Sequence, residues 1–260
     1  LAAATKKAGR IAAEGAVVAY NNKNVSVLVE INSETDFVAR NEEFIGFGTS
    51  VAKTIADTNP ADVEALLDTK LDGSDRTVQE NLQDKILSIG ENIKIRRFAR
   101  IEGVVSSYIH GGGTVGVMVL VDTDAADSEE FKVMGKDVAM QVAAMMPQYA
   151  AIKDIPADVL AHEKEIALAQ MKEDPKMANK PDQVLEKIVI GKMGKYYKEV
   201  CLLEQPFVKD DSMNVAKYIQ NAAKAIGKKI ELVSFVRFAK GEGIQKREDN
   251  FADEVASMIK

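Results

Sequence analysis

The chain has 260 residues, a length that fits one or two domains. With 46% hydrophobic and 28% charged residues it can bury a core, which excludes a disordered tail. Its net charge of -6, from 34 Lys and Arg against 40 Asp and Glu, argues against a general coat for nucleic acid, since such proteins are mostly basic.

The chain opens at Leu1 rather than Met, as a fragment that has lost its start does, and residues 1–14 read as a linker. No signal peptide is visible. The segment Glu14–Tyr20, EGAVVAY, is echoed by Glu102–Tyr108, EGVVSSY. Each is followed by a turn, Asn21–Asn24 or His110–Thr114, and then by an alternating apolar run. Val25, Val27, Val29 and Ile31 form the first run, and Val115, Val117, Val119 and Val121 the second; both predict half-buried strands. Even the longest strongly apolar stretch, Val117–Val121, is too short to cross a membrane as a helix. Glu42-Glu43-Phe44 is echoed by Glu129-Glu130-Phe131, and Asn41 and Ser128 before them read as helix N-caps. Third strands follow at Ile93, Ile95, Arg97 and at Val233, Phe235, Arg237.

Five blocks recurring in one order predict an internal repeat. The expected fold is α+β: two repeated subdomains, each a three-stranded antiparallel sheet with helices on one face only. The second carries an insertion in which Pro156–Met171 and Gln183–Val200 read as helices. Pro175 and Pro181 interrupt helix between them, so an antiparallel coiled-coil hairpin is expected. Residues 160–200 should then be separable from both sheets. The expected division is 15–102, then 103–243 with the hairpin at 156–201, then a helical module at 244–260. In that module Phe251, Val255 and Ile259 share one side of a helix.

Signals for catalysis fail in context. Gly111–Gly116 contains GxGxxG, but strand periodicity follows it where a dinucleotide site needs a helix. His110–Gly113 mimics an oxyanion loop, yet no GxSxG elbow exists. There is no GxxxxGK[ST] loop to cradle phosphates. Cys201 is the only cysteine, which excludes an internal disulfide and points to a reducing, cytoplasmic compartment; it reads as a buried inert thiol. Two histidines, His110 and His162, leave little for a histidine-based metal site. The chain is expected to have no catalytic residue, no metal site and no cofactor.

One asymmetry between the repeats remains. The first has thirteen residues from Asn32 to Phe44; the second has ten from Asp122 to Phe131. The excess surrounds Thr35-Asp36-Phe37-Val38. In one reading Asp36 caps a turn and Phe37 tucks beneath a helix, where burial contributes about 1.5–3 kcal/mol. In the other this is a recognition loop on a rigid scaffold.

Thr35–Val38 with the following Ala-Arg-Asn, Gly90-Glu91-Asn92-Ile93, Arg96-Arg97, Gln205-Pro206-Phe207-Val208 and Phe251-Ala252-Asp253-Glu254-Val255 together resemble the bacterial elongation factor Ts family, over essentially the whole chain. The resemblance implies a translation factor that exchanges guanine nucleotide on the GTPase elongation factor Tu, with no nucleotide site of its own. It implies that Thr35, Asp36, Phe37 and Val38 press on the GTPase near its magnesium, with Phe37 as a wedge and Asp36 disturbing the metal and phosphate. It implies further contacts from Val115 and Gly116 and from the last helix, with Phe251 and Val255. The family begins with a small ubiquitin-associated-like domain, of which residues 1–14 would be the trailing linker. Some members have a histidine where this chain has Gln141. A homodimer, and a heterodimer or heterotetramer with elongation factor Tu, are all open. Two rival readings are a scaffold that binds a GTPase without exchange, and RNA binding through Lys94, Arg96, Arg97 and Arg100. Against the latter, those cations are expected on a solvated strand face.

Overall fold

A computed structural model describes residues 7–174, 176–177 and 180–245. The elements in chain order are β1 (Glu14–Asn21), β2 (Val25–Ser33), α1 (Asp36–Ala39), α2 (Glu42–Thr58), α3 (Val63–Leu67), α4 (Val78–Ile89) and β3 (Lys94–Glu102). Then come β4 (Val104–His110), β5 (Val115–Thr123), α5 (Glu129–Met145), α6 (Ala157–Glu173), α7 (Asp182–Val200), β6 (Pro206–Phe207), β7 (Asp210–Asn214), α8 (Val215–Ile226) and β8 (Ile230–Ala239). The fold is α+β, with three small antiparallel sheets ordered β1-β2-β3, β4-β5-β8 and β6-β7. Among the described residues no helix is long and apolar enough to cross a membrane.

Local chemistry sets most of these boundaries. The β1–β2 hairpin runs in register from Glu14 opposite Ser33 to Asn21 opposite Ser26. Asn22 closes its turn by accepting from the backbone N–H of Asn24 and Val25 at 3.0 and 2.8 Å. Asn41 caps α2 by accepting from Glu43 N at 2.7 Å, and Ser128 caps α5 by accepting from Phe131 N at 3.0 Å. Thr77 and Glu80 form a capping box on α4, which Gly90 ends at φ +87°.

The chain falls into two compact units. Of the described residues, one unit comprises 7–100, Ile109–Gly116 and 238–245; the other comprises Ile101–Tyr108 and those of 117–237. In the first unit, α2 lays Phe44, Phe47, Val51 and Ile55 onto Val27, Val29 and Ile31 of β2. Phe44 is fully enclosed, and truncating such a ring costs about 3–5 kcal/mol.

The opposite face of β2 corrects the expectation of helices on one face and solvent on the other. Leu28, Glu30 and Asn32 are buried as fully as Val27, Val29 and Ile31. Residues 109–116 and 238–243 of the same unit cover them. Val17 N donates to Gly113 O at 2.8 Å, and Lys240 N to Thr114 O at 3.0 Å. Gly113, at φ +102°, comes so close that a Cβ there would stand 2.7 Å from Ala16 Cβ, so only glycine fits. The Gly-rich run is thus the β4–β5 connection, pressed onto a neighbouring strand.

In the second unit, α5 and α8 pack together, and Phe207 stacks on Tyr218 with ring centroids 4.0 Å apart. Asp137 accepts from Tyr218 Oη at 2.8 Å and from Lys209 Nζ at 2.6 Å, tying the β6–β7 hairpin to both helices. Helices α6 and α7 pack on one another, burying Ala167, Met171 and Met193.

The base of that helical pair is not separable as expected. Ile155, Val200 and Cys201 form a cluster with Tyr149, Leu160, Tyr196 and Tyr197, and Val200 O accepts from Gln148 N and Tyr149 N at 2.8 and 3.0 Å. Burial, with the nearby Glu204 and Asp154 carboxylates, pushes the Cys201 thiol up to about 11, so at neutral pH it remains protonated. Excising residues 160–200 would open this cluster. Replacing only residues 164–193 by a short Gly-Ser linker is expected to keep the unit folded, because the cluster stays whole and closing the loop differently changes little in free energy. Urea unfolding should remain one cooperative transition with a midpoint near that of the parent. A broad or split transition would show that the distal helices support the unit.

Candidate partner-binding loop

The connection from β2 to α2 is where the two readings of Phe37 separate. Phe37 is 83% exposed, so it is not a core residue. It sits on α1, a single turn whose N-cap is Thr35 rather than Asp36. The Thr35 hydroxyl accepts from Val38 N, and Ala39 is the residue of the turn that is buried. Val38 packs partly against the apolar core, while Asp36 forms an exposed ion pair with Arg40 at 3.4 Å. Such a pair contributes about 0–1 kcal/mol. Thr35, Asp36, Phe37 and Val38 therefore stand together on one turn, with the large apolar ring facing outward.

The turn is braced from below. Glu91, immediately after the Gly90 cap, accepts from Glu34 N and Thr35 N at 3.0 Å each and from Thr35 Oγ1 at 2.6 Å. Ser33 Oγ donates to Thr35 O at 2.9 Å. Glu34 accepts from Asn92 N at 2.7 Å, and Asn92 Nδ2 donates to Arg10 O at 2.7 Å. Sequence reasoning noted Gly90–Ile93 as a motif but assigned these residues nothing. Their partners lie more than fifty residues away, and no local spacing links them.

The remaining sequence candidates are dispersed. Val115 is half-buried at the start of β5. Gly116 is buried: a Cβ there would stand 2.4 Å from Val17 Cγ1 and 3.1 Å from Leu28 Cδ2. Its lack of a side chain lets its backbone come close to Val17 and Leu28, and of this pair Val115 keeps accessible side-chain surface. Phe251 and Val255 lie outside the described residues, as does the expected helical module around them. Gln141 is buried; it donates to Gln205 Oε1 at 3.2 Å and Pro206 O at 3.1 Å and accepts from Val208 N at 2.8 Å. It anchors the Gln205–Val208 segment from within.

The cationic strand is also corrected. Arg96 and Arg97 are not on a solvated face; both guanidinium groups bond the fully buried Glu30, at 3.1 and 2.6 Å. Arg100 Nε donates to Ala56 O at 3.1 Å. Three of the four cations proposed for RNA are spent within the protein. Among the described residues no group of three or more His, Cys, Asp or Glu side chains is placed to hold a metal ion.

A family profile described as Elongation factor TS matches residues 34–242, which include the braced loop and the Gln205–Val208 segment. The chain is 46% identical to Elongation factor Ts of Syntrophotalea carbinolica over all of its length and 86% of the relative's. It is 48% identical to that of Clostridium perfringens, over 99% of this chain and 85% of the relative. It is 47% identical to that of Clostridioides difficile, over 100% and 85%. A profile match over most of the chain, joined to near-complete relatives at this identity, is decisive: the chain belongs to the elongation factor Ts family, the nucleotide exchange factors of elongation factor Tu.

Proposed function

We propose that the Thr35–Val38 turn is the part of this exchange factor that acts on the nucleotide site of elongation factor Tu. Phe37 enters the partner as a wedge, and Asp36 disturbs the bound magnesium and phosphate. The observation that carries this is a large aromatic ring left 83% exposed on a one-turn helix whose entry residues Glu34 and Thr35 make five hydrogen bonds with Glu91, Ser33 and Asn92. A soluble chain gains by covering such a ring unless the ring has a partner to meet. Exchange makes and breaks no covalent bond, so the work is done by coupled binding. A factor that weakens nucleotide binding is weakened by nucleotide to the same degree. A thousandfold weakening corresponds to about 4 kcal/mol, within the range of one buried aromatic contact and a lost metal contact.

The same reading gives Val115 a secondary contact and leaves Phe251 and Val255 as contacts of a C-terminal helical segment. It takes the two larger sheets as copies of one unit. Gly15 and Gly103 share φ values of +124° and +121°, and two 17-residue helices, α2 and α5, end on left-handed Asn59 and Met146. It takes α6 and α7 as an antiparallel coiled-coil hairpin, and a heterodimer with elongation factor Tu in the cytoplasm as the working assembly.

Magnesium tests the mechanism. The release of fluorescent GDP from elongation factor Tu should be strongly stimulated by this chain at millimolar magnesium. The stimulation should shrink by about tenfold or more when the metal is chelated, since no metal contact is then left to disturb. Equal stimulation with and without magnesium would show that the loop acts on something else.

A further inference from the structure

Phe37 is held in place by a group remote in sequence. Both oxygens of the Glu91 carboxylate are committed to the segment that carries it. One accepts from Glu34 N and Thr35 N, and the other from Thr35 Oγ1. The same Thr35 oxygen receives Val38 N, the bond that opens α1. Four residues of helix have no cooperative stability of their own, since nucleation fixes several dihedrals for one hydrogen bond. Ala39 is buried and Val38 packs partly on the core, which holds the end of the turn, while its start is held by the polar bonds of Thr35. Beside the Val38 packing and the Ser33 and Asn92 bonds, Glu91 is the side chain that binds Thr35 through both its backbone N–H and its hydroxyl, an anchor outside the loop. Glu91 suits that role because Gly90 ends α4 in the left-handed conformation and sets the carboxylate directly beyond a helix whose Val78, Leu82 and Ile86 are in the core. The bonds involve a charged acceptor, which makes them stronger than neutral ones.

We infer that Glu91 is a positioning residue for nucleotide exchange: it holds the Thr35–Ala39 turn so that Phe37 is presented in one orientation, and it acts on GDP release through Phe37. This rests on the reading that residues 35–38 meet the partner's nucleotide site. Preorganising a contact group removes the ordering cost at the moment of binding, and a displacement of about 1 Å can cost on the order of a hundredfold in rate.

The 260 residues contain no tryptophan, so Phe37→Trp places a single reporter on the turn. In the free protein, Glu91→Ala should lower the fluorescence anisotropy of that reporter. Glu91→Gln should largely preserve it, because an amide oxygen still accepts both backbone N–H bonds and its NH2 can donate to Thr35 Oγ1. In exchange assays on elongation factor Tu, Glu91→Ala should reduce the maximal rate of GDP release by about tenfold to a hundredfold. The half-saturating concentration should move by less than about threefold, and Glu91→Gln should restore most of the rate. In a Phe37→Ala background, Glu91→Ala should add less than about twofold, as expected of two residues acting as one unit. Thr35→Val, which removes the hydroxyl from the other side of the clamp, should change anisotropy and rate in the same direction if Glu91→Ala proves unstable. Unchanged anisotropy and full GDP release in Glu91→Ala, with Phe37→Ala defective, would overturn the positioning role. So would an undiminished effect of Glu91→Ala in the Phe37→Ala background. Full release by Phe37→Ala itself would overturn the site reading and with it Glu91's part in exchange, while the anisotropy would still report whether the clamp holds the turn.

Discussion

Phe37→Ala is expected to abolish most of the stimulated GDP release while leaving the protein's own unfolding almost unchanged. The two halves of that result have separate causes. The ring is 83% exposed, so truncation removes little packing, and a surface change of this kind alters stability by about 0.5 kcal/mol or less. A buried ring in the same chain, such as Phe44, would cost about 3–5 kcal/mol. In the complex, an aromatic anchor enclosed by the partner typically contributes about 2–4 kcal/mol, which corresponds to a drop of roughly 30-fold to 1000-fold. Thermal unfolding of the free chain and release of labelled GDP from elongation factor Tu read the two effects independently. Asp36→Ala should act in the same direction and more weakly. It removes one exposed carboxylate, whose pairing with Arg40 is itself solvent-screened. A large fall in melting temperature, with exchange intact in the folded fraction, is the outcome that the wedge reading does not survive.

The largest effect on folding is expected at Glu30. Its side chain is inaccessible to solvent, yet it is charged, and the surroundings answer that charge from four directions. Arg97 Nε stands at 2.6 Å, Gly241 N at 2.7 Å, Asn32 Nδ2 at 3.0 Å and Arg96 Nη1 at 3.1 Å. Arg97 also lies over the Phe238 ring, 4.4 Å from its centroid, and donates to Ala239 O at 3.2 Å. Glu30→Ala leaves two guanidinium groups and a buried N–H without their acceptor. Breaking a buried pair from one side costs about 3–5 kcal/mol, a large share of the 5–15 kcal/mol typical of a whole domain. Equilibrium unfolding in urea should show the midpoint falling with little change in slope. A loss below about 1 kcal/mol would mean that water reaches the site and replaces the carboxylate.

The same residue gives stability a pH dependence of known sign. Burial by itself raises the Glu30 pKa, but bonds from Gly241, Asn32, Arg97 and Arg96 outweigh it and hold the carboxyl below its ordinary 4.5. The folded chain thus binds this proton more weakly than the unfolded chain. Glu30's contribution is complete above about 4.5 and is lost as pH falls through the depressed folded value. Glu30→Gln should flatten this acid limb while lowering stability at pH 7.

The periodicity of Val25–Ile31 and Val115–Val121, the caps at Asn41 and Ser128, and the helix start after Pro181 were legible in the sequence because each rests on neighbours within one turn or one strand repeat. The Thr35–Val38 motif was legible for a different reason: the stretch from Asn32 to Phe44 is three residues longer than the stretch from Asp122 to Phe131 that it resembles in sequence. What the sequence by itself determined is therefore the α+β class, the strands of the two larger sheets, helices α2, α5, α6 and α7, and the place of the loop; α1, α3, α4, α8 and the β6–β7 hairpin were not read from it. Tertiary structure alone decided that Phe37 points outward, since the same short turn could equally have folded its ring beneath α2. It also decided the far face of β2. Alternation predicts one buried face, but Leu28, Glu30 and Asn32 become buried because segments as distant as Gly241, 211 residues away, close over them. Ile93, just before β3, and Ile95, Phe98 and Arg100 on it lie on the helix side, so alternation breaks once, where Arg96 and Arg97 both reach Glu30. Local patterns carry no information about such closures. A buried charge is stable only when several distant donors converge on it, and that convergence, like the grip of Glu91 on Thr35, exists only once the chain has folded.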